Sequence, residues 1–284
     1  MSAPPRTGVV GVLVPLIYDL YFSAILSGIA EAAYDHDLRL LLSPTQHDHA
    51  REASLLERLT RDVTDGALIV LPEESSAELE RVISEARPIV VVDPLLPLGE
   101  RVPCVSVGHG GGAGDAMRHL LELGHRRIGA VTGPPGWVAT EARREGYRAA
   151  LARAGIPFDP ALEVASDFER AAGASAAAVL LSLPEPPTAI FAFNDAIAVG
   201  TMRAAHELGV RVPEELSVIG FDDIAYATMV GPMLTTVRQP LGELGRTAVN
   251  LLLRLLERPG SEPRQIELST RLVVRDTTAP PRRR

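Results

Sequence analysis

The chain has 284 residues, of which 46% are hydrophobic and 23% are charged, enough for one large or two ordinary α/β domains. Its net charge of −8 argues against nucleic-acid binding by this chain alone, because phosphate contacts need clustered cations. The single cysteine, Cys104, excludes an internal disulfide and is typical of a reducing cytoplasm. There is no secretory signal and no apolar run of about 18 residues, which a membrane span needs. We therefore expect a cytoplasmic protein that makes no membrane contact.

Strands and helices alternate along the whole chain. In the first part, the predicted strands are 8–15, 38–43, 67–71 and 88–92, and the predicted helices are 22–34, 51–60 and 76–85. The pattern restarts near Cys104 with a strand at 104–107, a helix at 114–123, a strand at 127–133, a helix at 141–154, strands at 190–193 and 216–220, a helix at 244–256 and a strand-like segment at 266–274. Such alternation is typical of doubly wound parallel sheets.

Polar side chains follow two of the predicted buried strands. Asn194 and Asp195 come after one strand, and Asp222 and Asp223 come after the other. Because open parallel sheets bind ligands outside the carboxyl ends of their strands, Asn194 and Asp222 are expected to lie where a ligand binds. Asp195 is expected to be the N-cap of the following helix, and Asp223 is expected to be structural.

Five short segments carry a family resemblance. They are GHRRIGAVTG at 124–133, RREGYRAAL at 143–151, FNDAIAVGTMRAA at 193–205, VIGFDD at 218–223 and LTTVRQP at 234–240. In this order they resemble the signature segments of the LacI/GalR family of bacterial transcriptional regulators. The resemblance runs from about Thr7 to about Thr277, and the family's N-terminal helix-turn-helix module is absent from this sequence.

The resemblance implies a type I periplasmic-binding-protein-like fold, in which two doubly wound parallel-sheet lobes have a ligand cleft between them. The N-terminal lobe would comprise residues 1–106 and be completed by 240–265. The C-terminal lobe would comprise 107–239 and be completed by 266–284. In the family, an effector in the cleft changes the angle between the lobes and thereby the spacing of two DNA-binding modules in a dimer.

The few aromatic residues gather near predicted strand ends. Eight of the twelve aromatics do so, namely Tyr18, Tyr21, Phe22, Trp137, Phe168, Phe193, Phe221 and Tyr226. Rings that line a cleft stack on sugar faces or on a nucleobase, whereas ordinary core packing is the alternative interpretation of the same pattern. As ligand-binding aromatics we predict Tyr18, Tyr21, Phe22, Trp137 and Phe168.

Six polar residues are the remaining candidates for ligand binding: Asp19, Asp93, Arg143, Asn194, Asp222 and Gln239. Carboxylates and amides bind paired hydroxyls, and an arginine offers a rigid fork of donors. In the family, the matching positions in the VVD, RxxGY, FND, GFDD and TTVRQP motifs line the effector cleft. Asp93 precedes Pro94 and has a turn residue as its alternative interpretation. Arg143 is favoured over Arg144 by its spacing to the Gly146-Tyr147 pair.

Three other patterns look like functional motifs, but we do not interpret them as binding or catalytic sites. The loop 108–113 loosely matches G-x-G-x-x-A but lacks the acidic residue of a dinucleotide site, and it departs from the family near His109, where an acidic residue is usual. His47-Asp48-His49 offers two imidazoles without further ligands. Ser43, Ser106 and Ser217 lie outside any G-x-S-x-G elbow. We therefore predict no metal, no cofactor and no enzyme activity.

The leading hypothesis is the ligand-sensing and dimerisation core of a LacI-family regulator. It would bind a small effector, a sugar by preference and a nucleobase as second choice, and form a homodimer through apolar helices such as 244–256. Operator DNA would be bound only through the absent helix-turn-helix module. One alternative is a sugar-binding protein of a transport system, against which the missing signal and the motifs count. Another is an α/β enzyme that uses Asp93 or Asp222 as acid or base.

Overall fold

The structure, a computed structural model, describes residues 6–59, 62–84, 88–258 and 262–282. Its strands are β1 (Val9–Val14), β2 (Arg39–Pro44), β3 (Gly66–Val70), β4 (Ile89–Val92), β5 (Cys104–Val107), β6 (Ile128–Thr132), β7 (Glu163–Ala165), β8 (Ala189–Ala192), β9 (Ser217–Asp222), β10 (Thr235–Arg238), β11 (Gln265–Leu268) and β12 (Arg271–Val273). Its helices are α1 (Leu20–Asp35), α2 (His49–Arg58), α3 (Ser76–Ser84), α4 (His109–Glu122), α5 (Val138–Arg153), α6 (Arg170–Leu181), α7 (Asp195–Glu207), α8 (Tyr226–Met229) and α9 (Leu241–Glu257). The α/β alternation expected from the sequence is confirmed.

The chain divides into two compact units. Unit 1 consists of Met1–Val107 and Pro240–Leu268, and unit 2 consists of Gly108–Gln239 and Ser269–Arg284. The predicted segment that returns to the first lobe ended at residue 265, whereas the returning segment of unit 1 ends at Leu268. The difference arises because the chain continues as β11, a strand of the unit 1 sheet, before it leaves that unit.

Unit 1 is built on a six-stranded sheet in the order β11-β5-β4-β3-β1-β2, and each of these pairings is parallel. Its central strands are apolar and buried, as expected for strands with helices on both faces. The prediction that the strand at 104–107 starts a second αβ set is wrong, since β5 pairs with β4 and β11 in this sheet. A four-residue apolar strand contains no signal for which sheet it joins, so the restart of the pattern was misplaced.

Helices α1 and α9 of unit 1 approach each other closely at a glycine. A Cβ added at Gly28 of α1 would overlap the carbonyl oxygen of Gly242 in α9, so only glycine permits this distance. The apolar face of α9, which includes Leu244 and Leu252, is buried within unit 1. This face therefore belongs to the core of the unit, and the prediction that it takes part in dimer contacts is wrong.

Unit 2 contains the second six-stranded sheet, in the order β12-β10-β9-β8-β6-β7. Its pairings are parallel except that β12 runs antiparallel to β10. The predicted single strand at 266–274 is instead two strands in two sheets, with the break at Ser269 and Thr270. At this break, the hydroxyl of Thr270 donates to the carbonyl oxygen of Gly108 (3.2 Å).

Two apolar clusters cover the two faces of the unit 2 sheet. One includes Met117, Tyr147, Phe191, Phe193 and Phe221, and the other includes Val131, Ile190, Ile197, Val218 and Leu234. Phe193 and Phe221 have no exposed surface, so neither ring has a free face on which a ligand could stack. The interpretation of these two rings as stacking surfaces in a cleft is therefore wrong. Alternation along a strand puts Phe191 and Phe193 on the same face, where helices α4 and α5 cover them. For Phe193 and Phe221, the alternative interpretation of ordinary core packing is correct.

The elements of unit 2 that were not predicted include β7, α6, α8 and β10. The short strand β7 and the helix α6, which contains six alanines in RAAGASAAAVLL, form the outer part of this unit. An alanine-rich helix gives a weak apolar period, because alanine fits both its buried and its exposed positions. Two predicted helix ends, Thr60 and Glu85, lie outside the described residues. In the part of the chain that the structure describes, no helix is long and apolar enough to cross a membrane.

Candidate functional site

Arg143 lies on the inner face of α5 and is almost fully buried. Its Nη1 donates to the carbonyl oxygen of Phe193, directly after β8, and its guanidinium carbon lies 3.9 Å from the ring centroid of Phe221. Its Nη2 is 3.8 Å from Oδ1 of Asp222. A cationic donor is thus held away from water, where its electrostatic interactions are stronger than at the surface.

The neighbouring Arg144 points the other way. Its Nε donates to Oε1 of Glu163 (3.0 Å), and its Nη1 donates to the carboxylate of Glu141 one turn earlier. These partners raise the pKa of Arg144, with the Glu141 hydrogen bond as the main cause. The prediction that Arg143 rather than Arg144 faces inward is therefore confirmed.

Asp222 and Gln239 are a hydrogen-bonded pair in the site. Asp222 is the last residue of β9 and has a φ of 122°, a conformation that L-residues rarely adopt. Gln239, directly after the neighbouring strand β10, donates from Nε2 to Oδ1 of Asp222 (2.6 Å) and from its main-chain N–H to the carbonyl oxygen of Asp222 (3.1 Å). Parallel pairing of β9 with β10 brings these two strand ends together.

Two buried polar atoms beside this carboxylate have no hydrogen-bond partner among the described residues. They are Nε of Arg143, a donor, and Oε1 of Gln239, an acceptor. An unmet buried donor or acceptor costs about 1–3 kcal/mol, so such atoms need an explanation in a native structure. Both side chains contact Asp222, and hence the two unmet atoms flank one carboxylate.

The N-cap of α7 is Asn194 and not, as predicted, Asp195. Asn194 is the N-cap of α7, because its Oδ1 accepts the N–H of Ile197 (2.7 Å). Its Nδ2 donates to the carbonyl oxygen of Phe168 (3.3 Å). Asp195 has no exposed surface and is not the N-cap, so that prediction is wrong.

Asp195 instead ties two distant segments to the start of α7. Its carboxylate accepts the hydroxyl of Thr236 (2.5 Å) and the N–H of Ile224 (3.0 Å). Burial raises the pKa of Asp195 well above its ordinary value, and the nearby charge of Asp222 raises it further. Asp223 is structural as predicted, because its carboxylate pairs with Arg238 of β10 and Arg275 beyond β12.

Trp137 and Phe168 form an aromatic pair near Arg143. Trp137 directly precedes α5, and its ring centroid is 5.6 Å from that of Phe168 in the segment between β7 and α6. The guanidinium carbon of Arg143 is 5.9 Å from the Phe168 ring centroid. Both rings are half-buried, so part of this aromatic surface is accessible. The structure therefore brings together the six predicted site residues of unit 2, which are Trp137, Arg143, Phe168, Asn194, Asp222 and Gln239.

The other predicted site residues lie in unit 1 around the start of α1. Tyr21 donates its hydroxyl to Oδ2 of Asp93 (2.6 Å), which is buried directly after β4 and has a φ of 53°. Phe22 is buried and packs edge-on against Tyr21. Asp19 is the N-cap of α1 and accepts the N–H of Tyr21 (2.8 Å), and Tyr18 is 80% exposed. Asp93 thus combines a turn-like backbone with a side chain that accepts a hydroxyl.

His109 belongs to the unit 2 site although the sequence did not indicate it. It is the first residue of α4, is almost fully buried and lies with Nδ1 3.1 Å from Nη2 of Arg143. The contact joins residues 34 positions apart on two different helices, so no local pattern could have predicted it.

The triplet His47-Asp48-His49 offers no metal site. His47 contacts Glu73 (3.2 Å), and no group of three or more His, Cys, Asp or Glu residues in the described ranges could hold a metal ion.

Comparison with known proteins yields a consistent set of relatives. Residues 117–278 match the family described as periplasmic binding protein-like domain. The chain is 36% identical to the HTH-type transcriptional repressor CytR of Escherichia coli (strain K12), covering 94% of this chain and 78% of that repressor. It is 32% identical to the ribose operon repressor of the same strain, covering 95% of this chain and 82% of that protein.

Solved structures give the same result. A LacI family transcriptional regulator from Enterococcus faecium with bound ribose has a TM-score of 0.85 at 31% identity, with 96% of this chain and 99% of that chain covered. The complex of the transcriptional regulator CelR with cellobiose has a TM-score of 0.87 at 30% identity, with 96% and 85% covered. Sequence and fold therefore agree on the class of relatives.

Proposed function

Since this chain belongs to the LacI family of bacterial transcriptional regulators, we propose that it is an effector-sensing core whose ligand alters operator binding by the intact regulator. The effector binds at the carboxyl ends of the unit 2 strands, against Arg143, Asp222 and Gln239. Operator recognition belongs to a helix-turn-helix module of the intact regulator, and the protein acts in the cytoplasm. Two of the named relatives are repressors and two are transcriptional regulators, so neither transport nor catalysis is favoured.

The observation that carries this proposal is the pair of unmet polar atoms beside Asp222. Nε of Arg143 requires an acceptor and Oε1 of Gln239 requires a donor. A hydroxyl group is both donor and acceptor, and the Asp222 carboxylate accepts further hydroxyl protons. A ligand with neighbouring hydroxyls therefore satisfies all three groups at once.

A sugar or sugar derivative fits this chemistry better than a free nucleobase. A nucleobase offers planar amide and ring-nitrogen groups with few hydroxyls, and it leaves a buried carboxylate poorly matched. The half-buried rings of Trp137 and Phe168 supply an apolar surface for the face of a pyranose or furanose ring. One solved relative contains ribose and another contains cellobiose, which supports the sugar class without naming the effector.

We further propose a homodimer that uses surfaces of both units. In unit 1, the edge strand β2 exposes Leu41 and Leu42, and in unit 2 the residues Leu208 and Met229 are more than half exposed. Exposed apolar side chains on a sheet edge favour pairing with another chain. Sedimentation velocity should show a dimer that Leu42→Glu weakens, and a monomer at every concentration tested would contradict this proposal.

The effector site is tested by a thermal-shift screen of pentoses, hexoses, disaccharides, nucleosides and nucleobases. We expect a sugar to raise the melting temperature of the parent chain. Arg143→Ala and Asp222→Ala should each lower the affinity for that sugar roughly 5- to 100-fold, because each removes one partner of a buried charge-assisted hydrogen bond. The same titration by calorimetry gives the dissociation constants.

Arg144→Ala is the matched control for Arg143→Ala. It removes an arginine from the adjacent position of the same helix, but that arginine pairs with Glu141 and Glu163 away from the site. Sugar affinity should therefore be unchanged in this variant. If the best ligand binds the Arg143 and Asp222 variants as tightly as the parent, the site is elsewhere. If only nucleosides or nucleobases bind, the sugar class is wrong. Asp93→Asn in the same assay tests the predicted role of the unit 1 group.

A further inference from the structure

His109 has a hydrogen-bonding role that its environment determines. Its Nδ1 lies 3.1 Å from Nη2 of Arg143, and a guanidinium carries only donors. Nδ1 must therefore be the acceptor, which puts the ring proton on Nε2 and fixes one of the two neutral tautomers. No other assignment makes this contact a hydrogen bond.

The position of His109 in the fold also favours a neutral ring. It is the first residue of α4, and Gly108 before it provides no side-chain cap. The partial positive charge at a helix N-terminus disfavours a second cation there. The Arg143 guanidinium acts in the same direction, since an imidazolium facing it would place two buried positive charges in contact.

Three contacts together set the orientation of the Arg143 guanidinium. Nη1 is held by the carbonyl oxygen of Phe193, Nη2 is held by His109, and the flat face lies over the ring of Phe221. Asp222 balances the charge from 3.8 Å, beyond an ordinary hydrogen bond. Each terminal nitrogen thus has one acceptor, whereas Nε is the guanidinium nitrogen that has none among the described residues.

We propose that His109 is a positioning residue of the effector site, which as a neutral acceptor holds the Arg143 guanidinium so that its Nε–H is presented to the ligand. This inference rests on the proposed function for its consequence in binding. It does not rest on it for the contact itself, which exists without any ligand. A neutral acceptor orients the Arg143 guanidinium and adds no charge of its own, so the carboxylate of Asp222 still balances the positive charge.

The contact is tested first on the ligand-free protein by nitrogen-15 NMR of the histidine rings. Near neutral pH, the His109 ring should show an unprotonated Nδ1 and a protonated Nε2. Slow rotation about the Nε–Cζ bond should keep the Nη signals of Arg143 distinct. His109→Leu should merge these signals, whereas His109→Asn, whose Oδ1 restores an acceptor, should keep them distinct. The opposite tautomer, an imidazolium, or unchanged Arg143 signals in His109→Leu would overturn the inference.

Binding is tested next with D-ribose as the probe. His109→Leu should weaken ribose binding roughly tenfold, and His109→Asn should restore most of it, a rescue that loss of packing alone would not give. His206→Leu, which changes an exposed histidine of α7, is the matched control and should bind as the parent does. Circular dichroism and the unliganded melting temperature check that each variant is folded.

The two proposals fail in different ways. If D-ribose binds no form of the protein while the NMR result is as expected, the positioning contact stands and the choice of sugar in the proposed function is wrong. If ribose binds through Arg143 but His109→Leu binds it as the parent does, the positioning role is wrong and the proposed function stands.

Discussion

Asp195 and Thr236 are joined by a buried hydrogen bond of 2.5 Å from the threonine hydroxyl to Oδ1 of the carboxylate. The two residues are 41 positions apart, at the start of α7 and within β10. The second oxygen of Asp195 accepts the N–H of Ile224, so one carboxylate links α7, β10 and the segment after β9. These segments position Asp222 and Gln239, and hence the carboxylate supports the site without belonging to it.

Loss of this carboxylate should destabilise the protein strongly. Asp195→Ala leaves the buried Thr236 hydroxyl and the partly buried Ile224 N–H without this acceptor, and we expect a loss of about 2–5 kcal/mol in the free energy of unfolding. Asp195→Asn keeps one acceptor oxygen and should lose about half as much. Urea unfolding followed by circular dichroism measures both. Equal losses in the two variants would show that shape, and not the acceptor, matters here.

The contact of α1 with α9 gives a second prediction. A methyl group at Gly28 overlaps the main chain of α9, so Gly28→Ala should cost about 1–3 kcal/mol of unfolding free energy through overpacking. Gly242→Ala, on the opposite side of the same contact, is the control, because nothing lies within 4 Å of its added Cβ. It should leave stability unchanged or raise it by up to about 1 kcal/mol through helix propensity. Similar losses in both variants would contradict the close approach.

Sequence patterns predicted most strands and helices because their periods are local. The strand run ending at Phe193 and the polar residues after it are visible to inspection, so Asn194 and Asp222 were placed at strand ends correctly, whereas Gln239 was found through the family resemblance. Which of two adjacent polar residues caps a helix is not visible in this way. Asn194 accepts from the helix and Asp195 turns to Thr236, a partner that only the folded sheet brings near.

Contacts between distant segments account for the remaining errors. The strand-like run 266–274 looks continuous, yet two sheets take one half each, a choice that depends on tertiary pairing and not on side-chain period. His109 was dismissed together with a glycine-rich loop, because its partner Arg143 lies on another helix. The resemblance to a family supplied the site residues that spacing alone could not.

The stability of the protein should fall at alkaline pH because of Glu52. Burial, which is the largest cause, and the neighbouring Glu74 carboxyl together raise the pKa of Glu52 from 4.5 to about 9. The folded protein therefore keeps a proton that the unfolded chain has already lost in the window between these two values. Stability from this group is complete below pH 4.5 and is lost as the pH rises towards about 9.

Urea unfolding at a series of pH values tests this directly. The unfolding free energy of the parent should decline across that window, and Glu52→Gln should flatten the decline and be more stable by about 1–3 kcal/mol at the alkaline end. Glu57→Gln, on the exposed face of the same helix, is the control and should keep the parent's slope. A parent and a Glu52→Gln variant with the same slope would show that this carboxyl is not protonated in the folded state.

At acid pH the buried His125 should weaken the attachment of the C-terminal segment. Its Nε2 lies 2.9 Å from the carbonyl oxygen of Ala279 and its Nδ1 lies 2.8 Å from Oγ1 of Thr188. Burial lowers the pKa of His125 below the ordinary value of 6.5. Above that value neither state is charged and there is no penalty. As the pH falls below it, the unfolded chain takes up a proton that the folded ring resists, so stability falls until the folded ring is also protonated.

The effect should appear first near Ala279, whose N–H donates to Oγ of Ser217 beside the same ring (3.0 Å). Hydrogen exchange, corrected for the intrinsic pH dependence, should show this amide losing protection on acidification. The loss should be on the order of 1 kcal/mol in opening free energy. In His125→Gln, which cannot take up a proton, protection of this amide should be lower near neutral pH but nearly independent of pH. His206→Gln, at an exposed position of α7, should behave as the parent does. If the Ala279 amide keeps its protection down to the pH of global unfolding in the parent, His125 does not control this segment.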